Sequence, residues 1–203
     1  MPGIERVTTV LVVRHGRTAL NAQGRFRGRD DPPLDEVGLA EVEHTATEIA
    51  SRSGGRPVAA IASSPLVRAR QTAEAIGLAT GREPSVMDEL NDLDHGSWTG
   101  LTAEEAQTRD PQEYEVFRRD PRSALPPGGE SLAEVERRIR SAIASLAARY
   151  PGEEVVAVSH EIPIRLLISG VCQIDGPDLW DIALPTASIN VLTRDTDGVW
   201  VAG

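Results

Sequence analysis

Thr9-Val10-Leu11-Val12-Val13-Arg14-His15-Gly16-Arg17-Thr18-Ala19-Leu20-Asn21 decides how this chain is read. Its first five residues are apolar or β-branched without a break. A strand of that composition is buried on both faces, as in a parallel sheet with helices on each side. The run stops at a cation, an imidazole and a glycine. In open α/β sheets ligands bind beyond the carboxyl ends of the strands, and Gly16 lets a ligand approach the backbone closely. By itself an Arg-His pair at a strand end is more often solvated than functional, so the case turns on the rest of the chain.

The 203 residues fit one domain over 1–203 with a cap-like insertion around 101–130. A 40% apolar content is ordinary for a globular chain with a sizeable core. The formal net charge of −10 argues against a general nucleic-acid binder, although a cleft can be locally positive. Cys172 is alone, which excludes an intramolecular disulfide and a cysteine-based zinc site, and it is expected as a small buried residue of a helix. Met1 to Thr8 lacks the pattern of a signal peptide, and no apolar run approaches the ~20 residues of a membrane span. A cytoplasmic protein is expected.

Outward from the opening stretch, Asn21 to Pro33 is a loop punctuated by glycine and proline that carries Arg25, Arg27 and Arg29. Such a run is either a solvated face or the source of a cation for the pocket. Leu39, Val42, Ala46 and Ile49 recur at helical spacing and predict an amphipathic helix over 36–52, ended by Ser53-Gly54-Gly55, with His44 on its solvated side. Val58 to Ala62 reads as a second strand. In Ser63-Ser64-Pro65-Leu66-Val67-Arg68, Ser64 can cap a helix and Pro65 suits its first turn. Arg68 then leans back over the helix end, where free amides favour the same anion; Arg70 fits a surface position.

Val86 to Leu90 is expected as a short strand, followed by Asn91-Asp92-Leu93-Asp94-His95-Gly96-Ser97-Trp98. Thr102 to Arg119 reads as helix broken at Asp110-Pro111, and residues 120–129 as a Pro/Gly-rich connector. Ser131 and Glu134 form a capping-box pattern before a long helix marked by Leu132, Val135, Ile139, Ile143 and Leu146. Val155 to Val158 is another buried strand. It ends at Ser159-His160, and a helix follows over 161–172. Ser188 to Thr193 and Val199 to Ala202 read as closing strands around an Asp197-Gly198 turn.

Arg14-His15-Gly16-x-Thr18-x-x-Asn21, Ser64-Pro65-Leu66-x-Arg68-Ala69-x-Gln71-Thr72-Ala73, the Gly96-x-Trp98-x-Gly100 segment and Ser159-His160 together resemble the histidine phosphatase superfamily, also called phosphoglycerate mutase-like. The resemblance implies a three-layer α/β/α sandwich with a mostly parallel central sheet and a small helical cap insertion. It implies a metal-independent phosphomonoester hydrolase of the small phosphatase branch, with His15 as the nucleophile that takes up a phosphoryl group. Arg14, Arg68 and His160 would clamp the phosphate, and Asn21 and Arg27 match further phosphate contacts. The family's acid falls on Asp92, one methylene shorter than the usual Glu, with Asp88, Glu89 and Asp94 as neighbours. Other departures are Arg17 for Glu, His95 for an aromatic, and Glu161 for the Gly after the second histidine. A carboxylate at 161 would repel phosphate, so it is expected to turn outward or to serve substrate selection.

The residue types suit these roles. A neutral imidazole is a good nucleophile near neutral pH, guanidinium groups fork onto phosphoryl oxygens, and a carboxylic acid can protonate a leaving alkoxide. No cofactor and no metal are expected. The expected partner is a small phosphorylated substrate, with no nucleic acid and no membrane, and a monomer or homodimer. The alternatives are a phosphoglycerate mutase-type phosphotransferase, disfavoured by the short insertion, and a phosphate-binding pseudoenzyme.

Overall fold

The opening stretch forms β1 (Thr8–Arg14), in which Val10 to Val13 are wholly buried. Alternate side chains leave a strand on opposite faces, and both faces of β1 are covered. Val10 and Val12 pack with Ile139, Ile143 and Ile164, whereas Leu11 and Val13 pack with Ala46, Ile49, Ala69 and Ile76. The computed structural model describes residues 7–52, 57–195 and 197–203. The helix stop expected at Ser53-Gly54-Gly55 lies outside the described residues.

After β1 come a single turn α1 (Ala19–Ala22), α2 (Glu36–Arg52), β2 (Ala60–Ser63), α3 (Val67–Thr80) and β3 (Pro84–Val86). Then follow α4 (Ala103–Arg109), α5 (Pro111–Arg119), α6 (Leu132–Arg149), β4 (Glu154–Ser159), α7 (Glu161–Cys172), β5 (Ile189–Arg194) and β6 (Trp200–Ala202). The sheet order is β3-β2-β4-β1-β5-β6. The pairs β2–β3, β2–β4 and β1–β4 are parallel, and β5 and β6 add an antiparallel edge. Helices α2 and α3 cover one face and α6 and α7 the other, which makes the three-layer α/β/α sandwich. A third apolar cluster joins Trp98, Ala106 and Phe117 to Leu132, Val135, Ile162 and Leu166, so the segment around 101–130 packs on the starts of α6 and α7. No described helix is long and apolar enough to cross a membrane.

Three local expectations are corrected. Val86 to Leu90 is not a strand: β3 lies earlier, at Pro84–Val86, and Asp88–Leu90 is a 3-10 turn that sinks Leu90 into the core. Leu39 is exposed, because the buried stripe of α2 is Gly38, Val42, Thr45, Ala46 and Ile49. Cys172 is exposed as well, since it is the last residue of α7, where Gln173 turns left-handed at φ 57°.

Candidate active site

In a parallel sheet the strand ends share one edge, and the register decides who meets there. Arg14 of β1 pairs with Ser159 of β4, and Ser63 of β2 pairs with Val158. The next residues, His15, His160 and Ser64, are therefore neighbours. The two imidazole rings lie 5.0 Å apart between centroids, and both are fully buried.

Each ring has an assignable tautomer. His15 Nδ1 lies 2.7 Å from the Gly16 carbonyl, which can only accept, so Nδ1 carries the proton. Its Nε2 keeps the lone pair and has no partner. His160 Nε2 lies 2.7 Å from Ser64 Oγ, and the Asp92 carboxylate on the other side of the ring favours the proton on Nδ1, so that Ser64 donates to Nε2. His160 Nδ1 is then the donor, 3.7 Å from Asp92 Oδ2. Burial, and then the positive charge of Arg68, hold the pKa of both histidines well below 6.5, so both rings are neutral at physiological pH.

Arg68 is the second residue of α3, and its N-cap is Leu66 rather than Ser64. Its wholly buried guanidinium donates to the carbonyls of Gly28 and Asp30 and to Asp92 Oδ2 at 3.0 Å. Asp92 is buried as well, and its other oxygen accepts from the Leu93 amide. Glu89 is exposed, and Asp94 caps the Gly96 amide, so of the candidate acids Asp92 is the one beside Arg68 and His160.

The three arginines of the 21–33 loop go three ways. Arg25 pairs with Glu105, Arg29 faces solvent near Asp94 and Glu130, and Arg27 turns inward to Glu161 at 3.6 Å. Arg14 donates to the Leu184 carbonyl and pairs with Glu161 at 2.7 Å. Glu161 thus points at the arginines, not outward. Burial raises its pKa, but Arg14, Arg27 and Arg165 outweigh this and the net shift is downward. Asn21 lines the cavity, yet its Oδ1 is used in a capping box with Thr18.

Nε of Arg14, Arg27 and Arg68 and Nδ1 of His160 are buried without hydrogen-bond partners. A buried orphan donor costs about 1–3 kcal/mol, and an anion beside His15 Nε2 would relieve several at once. Beside this cluster opens a cavity of about 300 Å³ whose lining includes Arg14, Arg27 and Glu161 as well as Phe26, His95, Tyr114, Phe117 and Trp180. His95 stacks on Phe26 at 4.8 Å, and burial lowers its pKa to about 4.

Sequence reasoning missed two arginines. Arg138 of α6 grips the carbonyls of Glu89, Asn91 and Asp92 and so holds the Asp92 loop. Arg165 of α7 anchors Glu161 at 2.9 Å. Both are one arginine among many in amphipathic helices, and only the i, i+4 spacing of Glu161 and Arg165 could have flagged the second.

The family model of the histidine phosphatase superfamily (branch 1) matches residues 10–203. The chain belongs to the histidine phosphatase superfamily. Within it, the chain is 38% identical over 191 residues to a bifunctional protein of Mycobacterium tuberculosis, covering 94% of this chain and 51% of that protein. It therefore spans about half the length of the curated relatives it first matches. It is 31% identical over 183 residues to phosphoserine phosphatase 1 of Hydrogenobacter thermophilus, covering 90% of this chain and 85% of that protein. Among solved structures, mycobacterial glucosyl-3-phosphoglycerate phosphatase with VO3 superposes with a TM-score of 0.82 at 28% identity, covering 96% of each chain. Against the superfamily pattern, the departures at Asp92, His95 and Glu161 all fall within the site or its cavity wall.

Proposed function

We propose that this chain hydrolyses phosphomonoesters of small metabolites through a phosphohistidine on His15. The observation that carries the reading is the His15 ring: buried, neutral, its Nδ1 proton spent on Gly16, and its Nε2 lone pair unpartnered among guanidinium groups. Relatives named as phosphatases support it.

The ester phosphate takes its place among Arg14, Arg27, Arg68 and His160, whose free donors match phosphoryl oxygens. Nε2 attacks phosphorus, and the bond to the leaving oxygen breaks in line. Asp92 delivers a proton to that oxygen and afterwards takes one from the water that attacks phosphohistidine. In the free protein Arg68 holds the Asp92 carboxylate at 3.0 Å, and the step needs a proton. The substrate monoanion brings one: phosphate draws Arg68 onto its own oxygens and hands its proton to Asp92.

The test is His15→Ala together with acid quenching of the wild type during turnover. The variant is expected to keep its fold and lose about three orders of magnitude or more in kcat. Acid-labile, base-stable phosphate is expected on the wild type alone. Near-normal turnover by a folded His15→Ala variant overturns the reading.

A further inference from the structure

Glu161 stands at the first position of α7, directly after His160. Its Oε2 is 2.7 Å from Arg14 and 3.6 Å from Arg27, and its Oε1 accepts from Arg165 at 2.9 Å. With Arg14 and Arg27 it lines the cavity that leads from the phosphate cluster.

The charges can be counted. Three guanidinium groups and one carboxylate leave two positive charges in this group. Arg68 is already matched by Asp92. A bound phosphate meets these two charges, and handing its proton to Asp92 frees Arg68 as well, so Glu161 lowers by one the positive charge left for any second anion on the substrate. With glycine at 161, one more positive charge would survive phosphate binding, ready for a second anion on the same substrate. Two further arginines line the cavity: Arg25 is paired with Glu105, and Arg118 is exposed, 5.0 Å over the Trp180 ring. Much of the remaining wall is aromatic: His95 stacked on Phe26 at 4.8 Å, and Phe117 against Trp180 at 4.6 Å. Such surfaces favour flat or apolar groups.

We propose that Glu161 is a specificity-determining residue, selecting phosphomonoesters with an uncharged aromatic or apolar leaving group against those whose leaving group bears a carboxylate or a second phosphate. The inference rests on the phosphatase reading above. It separates this chain from the relative named for phosphoserine, a compound whose leaving group carries a carboxylate.

Phenyl phosphate and its 3-carboxy and 4-carboxy derivatives differ by one carboxylate and test this directly, with phosphoserine as a fourth ester. Wild type, Glu161→Gln and Glu161→Gly are compared by kcat/KM and, for Kd, by calorimetry; thermal unfolding verifies the fold of each variant. The wild type is expected to favour phenyl phosphate by about tenfold or more, since like-charge juxtaposition is strongly disfavoured. Both variants are expected to narrow that ratio about tenfold, mainly through KM and Kd of the carboxylated esters. A ratio unchanged in a folded variant, or a wild type that prefers the carboxylated esters, overturns the proposal. Absence of turnover of every ester by the wild type counts against the phosphatase reading instead, and the Kd ratios still decide the role of Glu161.

Discussion

Nδ1 of His15 is committed to the Gly16 carbonyl, which leaves Nε2 as the nitrogen free for the proposed attack. In the proposed reaction Asp92 is the residue whose state must change. On the proposed mechanism its proton arrives with the substrate, which draws Arg68 away from the pairing at 3.0 Å. Two outcomes follow at this scale. For an alkyl phosphate, kcat/KM is expected to fall as pH rises above the ester's second ionisation near about 6, because the proton-carrying monoanion becomes scarce. Asp92→Asn is expected to lower kcat/KM for an alkyl phosphate by about 10²–10⁴-fold, and far less for nitrophenyl phosphate, whose leaving group departs without a proton. The ratio of the two esters, measured on one preparation, is insensitive to any loss of stability from the unpaired Arg68. Equal losses on both esters would move the acid role to another residue.

At the scale of elements, the His15 loop is seated by helix α2. A Cβ on Gly38 would lie 2.1 Å from the Arg17 carbonyl oxygen, and one on Gly16 would lie 2.7 Å from the Gly38 oxygen. The two glycines let the loop after β1 lie against the first turns of α2. Gly38→Ala is therefore expected to push Arg17 outward, cost about 1–3 kcal/mol, and lower kcat as His15 is displaced. Leu39→Ala, one residue on and exposed, is expected to stay within about 0.5 kcal/mol. Thermal unfolding and turnover of the pair check both. The helix span 36–52 was readable from apolar spacing, but its facing was not. Leu39 looked like a core residue because hydrophobicity alone marks the stripe, whereas close backbone approach requires the stripe to begin at Gly38. The same limit misplaced β3: Met87 and Leu90 extend the apolar run, but the chain turns after Val86.

At the scale of the molecule, a chain of net charge −10 gathers Arg14, Arg27, Arg68 and Arg165 around Asp92 and Glu161. It also buries three histidines, His15, His95 and His160, whose pKa values burial drives below 6.5. The unfolded chain would protonate all three near pH 6.5. Their contribution to stability is therefore full above that pH and declines as pH falls through the interval below it. For His95, with a folded value of about 4, the loss reaches about 3 kcal/mol by pH 4. Urea unfolding at pH 7.5, 6 and 5 is expected to show falling stability, and His95→Phe is expected to flatten the decline by one proton's share. An unfolding free energy independent of pH over this range would contradict the neutral assignment.

The order of strands and helices, the burial of β1 and β4, and the chemistry at their carboxyl ends are written in local composition. Apolar run, imidazole, glycine and cap each act within a few residues, and period and propensity are local properties. Which side chains meet is a different matter. The parallel register of Arg14 with Ser159 joins residues far apart in the chain and alone makes His15 and His160 neighbours. Among Arg25, Arg27 and Arg29 no local signal says which turns inward, because an irregular loop has no period to aim its side chains. Glu161 was expected to turn outward or to serve substrate selection, and repulsion of phosphate by itself did not decide between the two. The fold turns it inward: Arg165 pairs with it at i, i+4 on the same helix, but its pairing with Arg14 of β1 and Arg27 of the 21–33 loop is decided only when those segments pack on α7.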